Sequence, residues 1–128
     1  MKIVGIGVDI INNKRIQLSI KNKNFIKRIF GKNEILISKK FKNKANFFSK
    51  RFAAKEALAK AIGIGFRENL NFKDIQIINN KLGKPYYIIS SKIKSLIKKK
   101  KKIKNFKLFL SISDEKEYSI AFTIIQKI

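Results

Sequence analysis

The chain of 128 residues contains no cysteine and no histidine. Without cysteine it can form neither a disulfide nor a thiolate metal site, which is consistent with the cytoplasmic location that we expect. Without histidine it lacks the commonest general base and the commonest transition-metal ligand. A metal site would therefore use oxygen ligands, which favours a hard cation such as Mg²⁺.

Long apolar runs are also missing, since no stretch approaches the roughly 20 residues of a membrane span. The N-terminal segment 3–11 is apolar but is interrupted by an acid. It is typical of a first buried strand, not of a signal peptide. The length of 128 residues and a hydrophobic fraction of 45% predict a single domain over residues 1–128.

Acidic residues are scarce: eight stand against 31 lysines and arginines, for a net charge of +23. Such a charge attracts nucleic acid, acidic proteins and anionic lipid. Most of the excess is lysine, and lysine, isoleucine and asparagine recur even in loops, so two interpretations stay open: compositional drift and a selected basic surface. The alternative function, a small basic nucleic-acid-binding protein, is disfavoured because most phenylalanines occupy core-like positions and the two carboxylates described below would have no role.

The order of predicted elements indicates an α+β fold, since one strand and several helices precede mostly antiparallel strands. The predicted elements follow. A strand covers 3–11; helical spacing covers 12–30, interrupted at 22–24 and stopped by Gly31; Asn33 caps a short helix; 39–46 is a loop; and an alanine-rich helix covers 47–62 and is ended by Gly63 and Gly65. Apolar residues over 70–78 indicate a strand entered through a turn, and a turn signal at 79–85 leads into a strand at 86–89. A helix covers 92–102, and strands 106–113 and 118–125 form a hairpin around the acidic turn 114–117.

Two carboxylates occupy unusual positions. Asp9 interrupts an apolar run, where it needs a cation, hydrogen-bond donors or a metal, or else a raised pKa; it could also cap the following helix. Glu56 lies in the alanine-rich helix among Arg51, Lys55 and Lys60. A Glu56–Lys60 pair at i,i+4 would contribute only ~0.3–0.5 kcal/mol. The other acids, including Glu34, are expected to be solvated in turns or at helix ends.

Together, Asp9 and Glu56 suggest a Mg²⁺ and phosphate site. Mg²⁺ is usually held by one or two carboxylates and completed by water and substrate phosphates. Lysine and arginine beside it would neutralise further phosphate oxygens. On this interpretation Lys60 is the firmest phosphate contact and Lys55 the least secure.

At this point the motifs resemble those of the holo-[acyl-carrier-protein] synthase family of 4′-phosphopantetheinyl transferases. The matching segments occur in the same order along nearly the whole chain. They are Ile6–Ile10 with Arg15–Ile16, Arg28–Phe30 with Asn33–Glu34, Arg51–Ala57 with Lys60–Ala61, Leu82–Pro85, and Ser111–Ser113 with Tyr118. Each motif is weak alone, but the ordered set is specific.

The resemblance implies the transferase fold and transfer of phosphopantetheine from coenzyme A to a serine of apo acyl carrier protein, with release of adenosine 3′,5′-bisphosphate. It also implies that this reaction supports fatty acid biosynthesis. It assigns Mg²⁺ to Asp9 and Glu56, and catalysis to these two with Lys60. The residues that it implies around coenzyme A are Arg51, Lys60, Gly63, Gly83, Lys84 and Pro85.

The resemblance further implies that Arg15, Phe25 and Arg28 face the acidic carrier protein, and that the chain forms a homotrimer with sites between subunits. Neither a membrane nor a nucleic acid is an expected partner. The general base stays open. Several family members carry histidine where this chain has Asp114, so metal-bound water, Glu56 or an acid near Asp114 are the candidates.

Overall fold

A long central helix and a three-stranded sheet organise the fold, which confirms the predicted α+β class. The computed structural model describes residues 2–64 and 70–128. Its elements, in chain order, are β1 (Lys2–Asn12), α1 (Asn13–Ser19), α2 (Lys23–Ile29), α3 (Lys32–Ser38), α4 (Lys44–Ile62), a 3₁₀ turn (Phe72–Asp74), β2 (Ile75–Asn79), β3 (Pro85–Ile89), α5 (Ser91–Lys101), β4 (Phe106–Asp114) and β5 (Tyr118–Lys127). Within these described ranges, no helix is long and apolar enough to cross a membrane.

The strands form two antiparallel sheets. In the larger sheet β5 lies between β1 and β4, so β1 is an edge strand. The smaller sheet is the β2–β3 hairpin. The predicted C-terminal hairpin is confirmed: β4 and β5 pair around an acidic turn.

Helix α4 packs directly on β1 and β5, and two glycines of β1 make the contact close. A Cβ atom at Gly7 would overlap the carbonyl oxygen of Ala57 and lie 2.7 Å from Ala61 N. A Cβ atom at Gly5 would overlap Ala61 O. Ala57 and Ala61 of α4 are buried at this crossing, so backbone meets backbone with no side chain between them.

The expectation that β1 is a buried strand is wrong for one of its faces. Gly5, Gly7 and Ile11 face inward and are buried. The side chains that alternate with them on the opposite face, Ile6, Val8 and Ile10, are 52–58% exposed. Neighbouring positions of β4 and β5 extend this surface, because Val8 pairs with Phe122 and Ile10 with Ile120. We call this surface the apolar sheet face; it consists of Ile6, Val8, Ile10, Phe109, Ile120 and Phe122.

Several predicted helix limits were wrong. Helix α4 begins at Lys44 inside the expected loop, because the Asn43 side chain caps it by accepting a hydrogen bond from Asn46 N. Helix α3 is capped at Gly31, not at Asn33. Gly63 ends α4 with a φ of 88°, as predicted. Gly65, the second predicted stop, lies outside the described residues.

Candidate functional site

The β1–α4 crossing brings Asp9, Glu56 and Lys60 together, and we call these three the β1–α4 site. Lys60 Nζ lies 3.0 Å from Asp9 Oδ1 and 3.0 Å from Val8 O. The Lys60 side chain is 55% exposed, whereas that of Asp9 is 13% exposed. Thus, at the edge of the sheet, the Lys60 ammonium is in contact with solvent, whereas the Asp9 carboxylate that it pairs with is partly enclosed.

The two alternative explanations for these carboxylates do not hold in the structure. Asn12, not Asp9, caps α1 by accepting a hydrogen bond from Lys14 N. Among the residues that the structure describes, Lys60 forms its ion pair with Asp9 and none with Glu56. Asp9 and Glu56 are therefore explained neither as a helix cap nor as a surface i,i+4 pair.

The electrostatics of the site favour a cation. Asp9 Oδ2 is buried and has no hydrogen-bond partner among the described residues. Burial raises the pKa of Glu56 and the charge of Asp9 raises it further, while Lys60 and Arg15 act in the opposite direction. A buried carboxylate oxygen without a partner beside a second, repelling carboxyl is the arrangement that a bound cation would stabilise.

The number of available ligands limits what the site could hold. No group of three or more acidic, histidine or cysteine side chains close enough to bind a metal occurs within the described ranges. Two carboxylates are compatible with Mg²⁺, which keeps water and substrate oxygens in its shell, and not with a cage made of protein ligands alone.

Gly63 lies one turn beyond Lys60 at the end of α4. It is exposed and adopts the left-handed conformation, and no atom of the described residues lies within 4 Å of the position that its Cβ would occupy. The backbone at this end of the helix is therefore open to a ligand.

Arg51 lies on another side of α4, away from the β1–α4 site. Glu56 follows Arg51 by five positions, which corresponds to about 140° around a helix. The Arg51 guanidinium stacks 3.6 Å from the centre of the Phe47 ring and donates to Asn79 Oδ1 at 3.0 Å. Arg51 is only 6% exposed; burial lowers its pKa to about 10, and the charge of Glu34 acts in the opposite direction.

The Asn79 contact connects Arg51 to the turn at residues 80–84. Asn79 Nδ2 donates to Gly83 O at 2.8 Å, and Gly83 has a φ of 87°. Lys84 is exposed and Pro85 begins β3. Arg51, Gly83, Lys84 and Pro85, which we call the Arg51–turn group, are thus brought together, but no hydrogen bond or ion pair in the described part of the chain joins them to the β1–α4 site.

The expectations for Lys55 and Glu34 were wrong. Lys55 is fully buried and donates to Glu34 Oε1 at 2.6 Å, to Phe72 O at 2.8 Å and to Ile75 O at 2.6 Å. Burial lowers the pKa of Lys55, and the Glu34 carboxylate opposes that shift. Lys55 is not available to a phosphate, and Glu34 is not solvated, because the two form a buried ion pair that joins α3 and α4.

The three residues predicted to contact a carrier protein lie on α1 and α2. Arg15 is exposed, and it is close enough to Glu56 to act on the pKa of that residue. Arg28 is exposed and lines a cleft of about 400 Å³. Phe25 is half-buried, with its ring centre 6.0 Å from that of Phe52. The two arginines are thus exposed, whereas Phe25 lies partly in the core.

Asp114, a candidate base, is exposed at the end of β4. Its Oδ2 accepts a hydrogen bond from Asn46 Nδ2 at 2.7 Å. It lines a polar cleft of about 800 Å³ together with Asn12 and Lys14, which follow β1. No hydrogen bond links Asp114 to Asp9 or Glu56 in the described part of the chain.

Sequence reasoning missed the residues that position these groups. Gly5 and Gly7 permit the close crossing of β1 and α4, and their signal was present: glycines two residues apart share one face of a strand, opposite a helix with alanines four residues apart. No sequence pattern indicated the contacts of Asn79. Arg51 is 28 residues away in the chain, and the contact with Gly83 depends on the conformation of the turn.

Comparisons with known proteins place the whole chain in one group. Residues 5–123 match the family model described as the 4′-phosphopantetheinyl transferase superfamily. A holo-[acyl-carrier-protein] synthase of Pelagibacter ubique (strain HTCC1062) is 65% identical over 127 residues, covering 99% of each chain.

Solved structures give the same result. The holo-[acyl-carrier-protein] synthase of Neisseria meningitidis matches with a TM-score of 0.86 and 37% identity, covering 98% of this chain and 100% of that one. The synthase of Bacillus anthracis str. Ames, solved in complex with CoA (3′,5′-ADP), matches with a TM-score of 0.82 and 35% identity, covering 98% of both chains.

Proposed function

The chain belongs to the 4′-phosphopantetheinyl transferase superfamily, and we propose that it transfers the 4′-phosphopantetheine arm of coenzyme A to a serine of apo acyl carrier protein. The observation that carries the proposal is the β1–α4 site, in which two carboxyls and an ammonium meet at an open edge in a chain that resembles such synthases from end to end. The reaction serves fatty acid biosynthesis in the cytoplasm.

The reaction forms one bond and breaks another. The serine oxygen of the carrier attacks the coenzyme A phosphorus that bears the pantetheine arm, and the bond from that phosphorus to the bridging oxygen breaks. Adenosine 3′,5′-bisphosphate leaves with the bridging oxygen, and the serine proton is lost. Negative charge grows on the leaving phosphate, so groups that stabilise this charge accelerate the step. Glu56 and Asp114 are the candidate proton acceptors among the side chains.

Asp9 and Glu56 would hold Mg²⁺ against the pyrophosphate. The buried Oδ2 of Asp9, which has no hydrogen-bond partner among the described residues, and the raised pKa of Glu56 support this assignment. Bound Mg²⁺ would supply charge neutralisation at the phosphate oxygens. Lys60 orients Asp9 through Oδ1; two N–H groups of its ammonium donate within the chain, and the third can donate to a phosphate oxygen.

The remainder of the coenzyme would be bound by Gly63 and by the Arg51–turn group. Gly63 presents open backbone one turn beyond Lys60. Arg51 and the exposed Lys84 contribute positive charge around the turn formed by Gly83, which has a positive φ, and Pro85. Both features suit an anionic ligand.

Arg15, Phe25 and Arg28 would bind the acidic carrier protein. Arg15 and Arg28 are exposed and form no ion pair within the described ranges. Because Arg15 also acts on Glu56, a carrier bound over α1 and α2 would bring its serine toward the β1–α4 site.

A homotrimer with sites between subunits fits two features of the single chain. The apolar sheet face is exposed in the isolated subunit, and exposed apolar surfaces of this kind mark protein interfaces. The β1–α4 site and the Arg51–turn group lie on different sides of α4, so one coenzyme would contact both if neighbouring subunits contributed one group each.

The activity is tested by incubating the protein with apo carrier protein, coenzyme A and Mg²⁺ and measuring the mass of the carrier. We expect the mass to increase by one phosphopantetheine group, and an unchanged mass with an active control synthase present would refute the proposal. Asp9→Ala and Glu56→Ala should each abolish nearly all turnover.

Metal binding is tested without turnover. Added Mg²⁺ should raise the melting temperature of the wild-type protein, because a ligand that binds only the folded state stabilises it. The shift should be lost in Asp9→Asn and kept in Asp114→Asn, which removes the same charge from an exposed site. Equal shifts in all three proteins would contradict the assignment of the cation to Asp9.

A further inference from the structure

A side-chain amide outside the residues predicted from sequence joins α4 to the turn at residues 80–84. Asn79 is the last residue of β2, and its Cα pairs with that of Pro85 at the start of β3. Its Oδ1 accepts a hydrogen bond from Arg51 Nη2 at 3.0 Å, and its Nδ2 donates to Gly83 O at 2.8 Å. One planar group therefore joins Arg51 to the turn, although Asn79 lies 28 residues after Arg51 in the sequence.

An amide is suited to this position because its two partners have opposite needs. The guanidinium of Arg51 can only donate, and the carbonyl of Gly83 can only accept. Asparagine supplies one acceptor and one donor from the same rigid group. Aspartate would serve Arg51 but not Gly83, and alanine would serve neither.

Arg51 depends on this contact more than an exposed arginine would. It is 6% exposed, and within the described ranges its other polar and ring contacts are the carbonyl oxygen and the ring of Phe47. The nearby carboxylate of Glu34 is already paired with Lys55. Asn79 is thus the one side chain of the described residues that accepts a hydrogen bond from Arg51, and its loss would leave a largely desolvated donor without that partner.

The turn, in contrast, has its own internal bonds. Asn80 Oδ1 accepts hydrogen bonds from Leu82 N and Lys84 N, and Asn80 O accepts one from Gly83 N. Removing the Asn79 side chain would therefore leave the shape of the turn intact and release its connection to α4. What changes is the position of the turn relative to Arg51.

We propose that Asn79 is a positioning residue for coenzyme A binding, because it fixes the Arg51 guanidinium and the Gly83–Pro85 turn relative to each other. The inference rests on the proposed function, in which both border the coenzyme, and it adds a residue that need not touch the coenzyme itself. Since the β1–α4 site does not involve Asn79, the affinity for coenzyme A should change more than the rate of transfer.

The test measures coenzyme A binding directly by calorimetry, and KM and kcat in the transfer assay. In Asn79→Ala we expect the Kd and KM for coenzyme A to rise about tenfold, since misplaced binding groups lose this much or more. The KM for the carrier protein and kcat should stay within about threefold of wild type. Asn79→Asp, which keeps the acceptor for Arg51, should show a smaller rise.

Asn71→Ala is the matched control, because Asn71 is also an exposed asparagine and accepts one local hydrogen bond, from Lys73 N. It should leave the affinity for coenzyme A unchanged. The inference is overturned if Asn79→Ala binds coenzyme A within twofold of wild type. It is also overturned if both KM values and the melting temperature change together, as in a general loss of stability.

Failure of the proposed function gives a different result. If the wild-type protein binds coenzyme A but transfers nothing to the carrier, the proposed function fails and the binding comparison still decides the role of Asn79. If the wild-type protein does not bind coenzyme A, both are overturned.

Discussion

The carboxyl of Glu56 makes the stability of the protein depend on pH. Burial and the charge of Asp9 raise its pKa above the ordinary value of 4.5. At a pH between the ordinary and the raised pKa, the folded chain keeps a proton that the unfolded chain has released. The free energy of unfolding therefore falls as the pH rises through this window, and the loss is complete above the raised pKa. Below the ordinary pKa both states are protonated, so Glu56 no longer makes the stability depend on pH.

Glu56→Gln removes this titration and leaves a neutral side chain of similar shape. In buffer with a chelator, we expect the stability of the variant relative to wild type to increase as the pH rises from about 4 to about 8. Denaturant unfolding at each pH measures the difference. Glu117→Gln, which neutralises an exposed acid of the β4–β5 turn, controls for the change in net charge. A Glu56→Gln difference that does not vary with pH would show that the environment of Glu56 is not as described.

Single residues also show where sequence reasoning succeeds. Asp9 was identified because an acid inside an apolar run requires a partner, and the structure supplies Lys60. The burial of Lys55 and Glu34 was not predicted, because the acceptors of Lys55, which include Glu34, lie 17 to 21 residues away from it in the chain. A buried ion pair of this kind depends on how α3 packs on α4, which no local pattern contains.

At the scale of elements, the crossing of β1 and α4 fixes the geometry of the site. Strand β1 carries Asp9, helix α4 carries Glu56 and Lys60, and Gly7 lets the two backbones touch. The distance between the two carboxylates therefore depends on glycine at positions 5 and 7, where a Cβ atom would overlap the backbone of α4.

Gly7→Ala should push β1 and α4 apart, because the added Cβ would overlap the backbone of Ala57. We expect a loss of at least about 1–3 kcal/mol in the free energy of unfolding and a loss of transfer activity in the protein that remains folded. Gly31→Ala is the matched control, since its Cβ would meet no atom of the described residues closer than 3.6 Å; its stability should change by less than about 1 kcal/mol. Equal effects of the two substitutions would contradict the close crossing.

The elements were predicted where local patterns specify them. Apolar residues and the turn signal at 79–85 predicted the strands that the structure pairs as β2 and β3, and alanines followed by Gly63 predicted α4. The start of α4 at Lys44 was missed because it depends on a single asparagine cap in a polar segment. The exposed face of β1 was missed because an apolar run does not reveal which of its two faces lies against the rest of the chain.

At the scale of the whole molecule, the comparisons confirm the predicted family and fold, whereas assembly stays a prediction. The net charge of +23 is carried on a surface with few acids; the described residues contain two ion pairs, Lys55–Glu34 and Lys60–Asp9. Within the described ranges, most of the positive charge is therefore not neutralised by a carboxylate. Mutual repulsion opposes association, so the apolar contact in a trimer would have to outweigh it.

Phe122→Lys should test that assembly, because Phe122 lies on the central strand of the apolar sheet face and pairs with Val8. A charge there would be buried without a partner in an interface. We therefore expect light scattering to show a folded monomer and the transfer assay to show little activity. Leu36→Lys is the control: Leu36 is a 60% exposed apolar residue of α3 outside this face, and the variant should remain a trimer.

Sharing of sites between subunits is tested by mixing two inactive variants. Asp9→Ala lacks the β1–α4 site and Arg51→Gln lacks the charge of the Arg51–turn group. If neighbouring subunits each contribute one group, some interfaces of a mixed trimer contain both intact groups, and activity should reappear after the two proteins are co-refolded. Adding Phe122→Lys to both variants should abolish the recovery. A mixture no more active than its separate components, with mixed trimers demonstrated by mass, would place each complete site within one subunit.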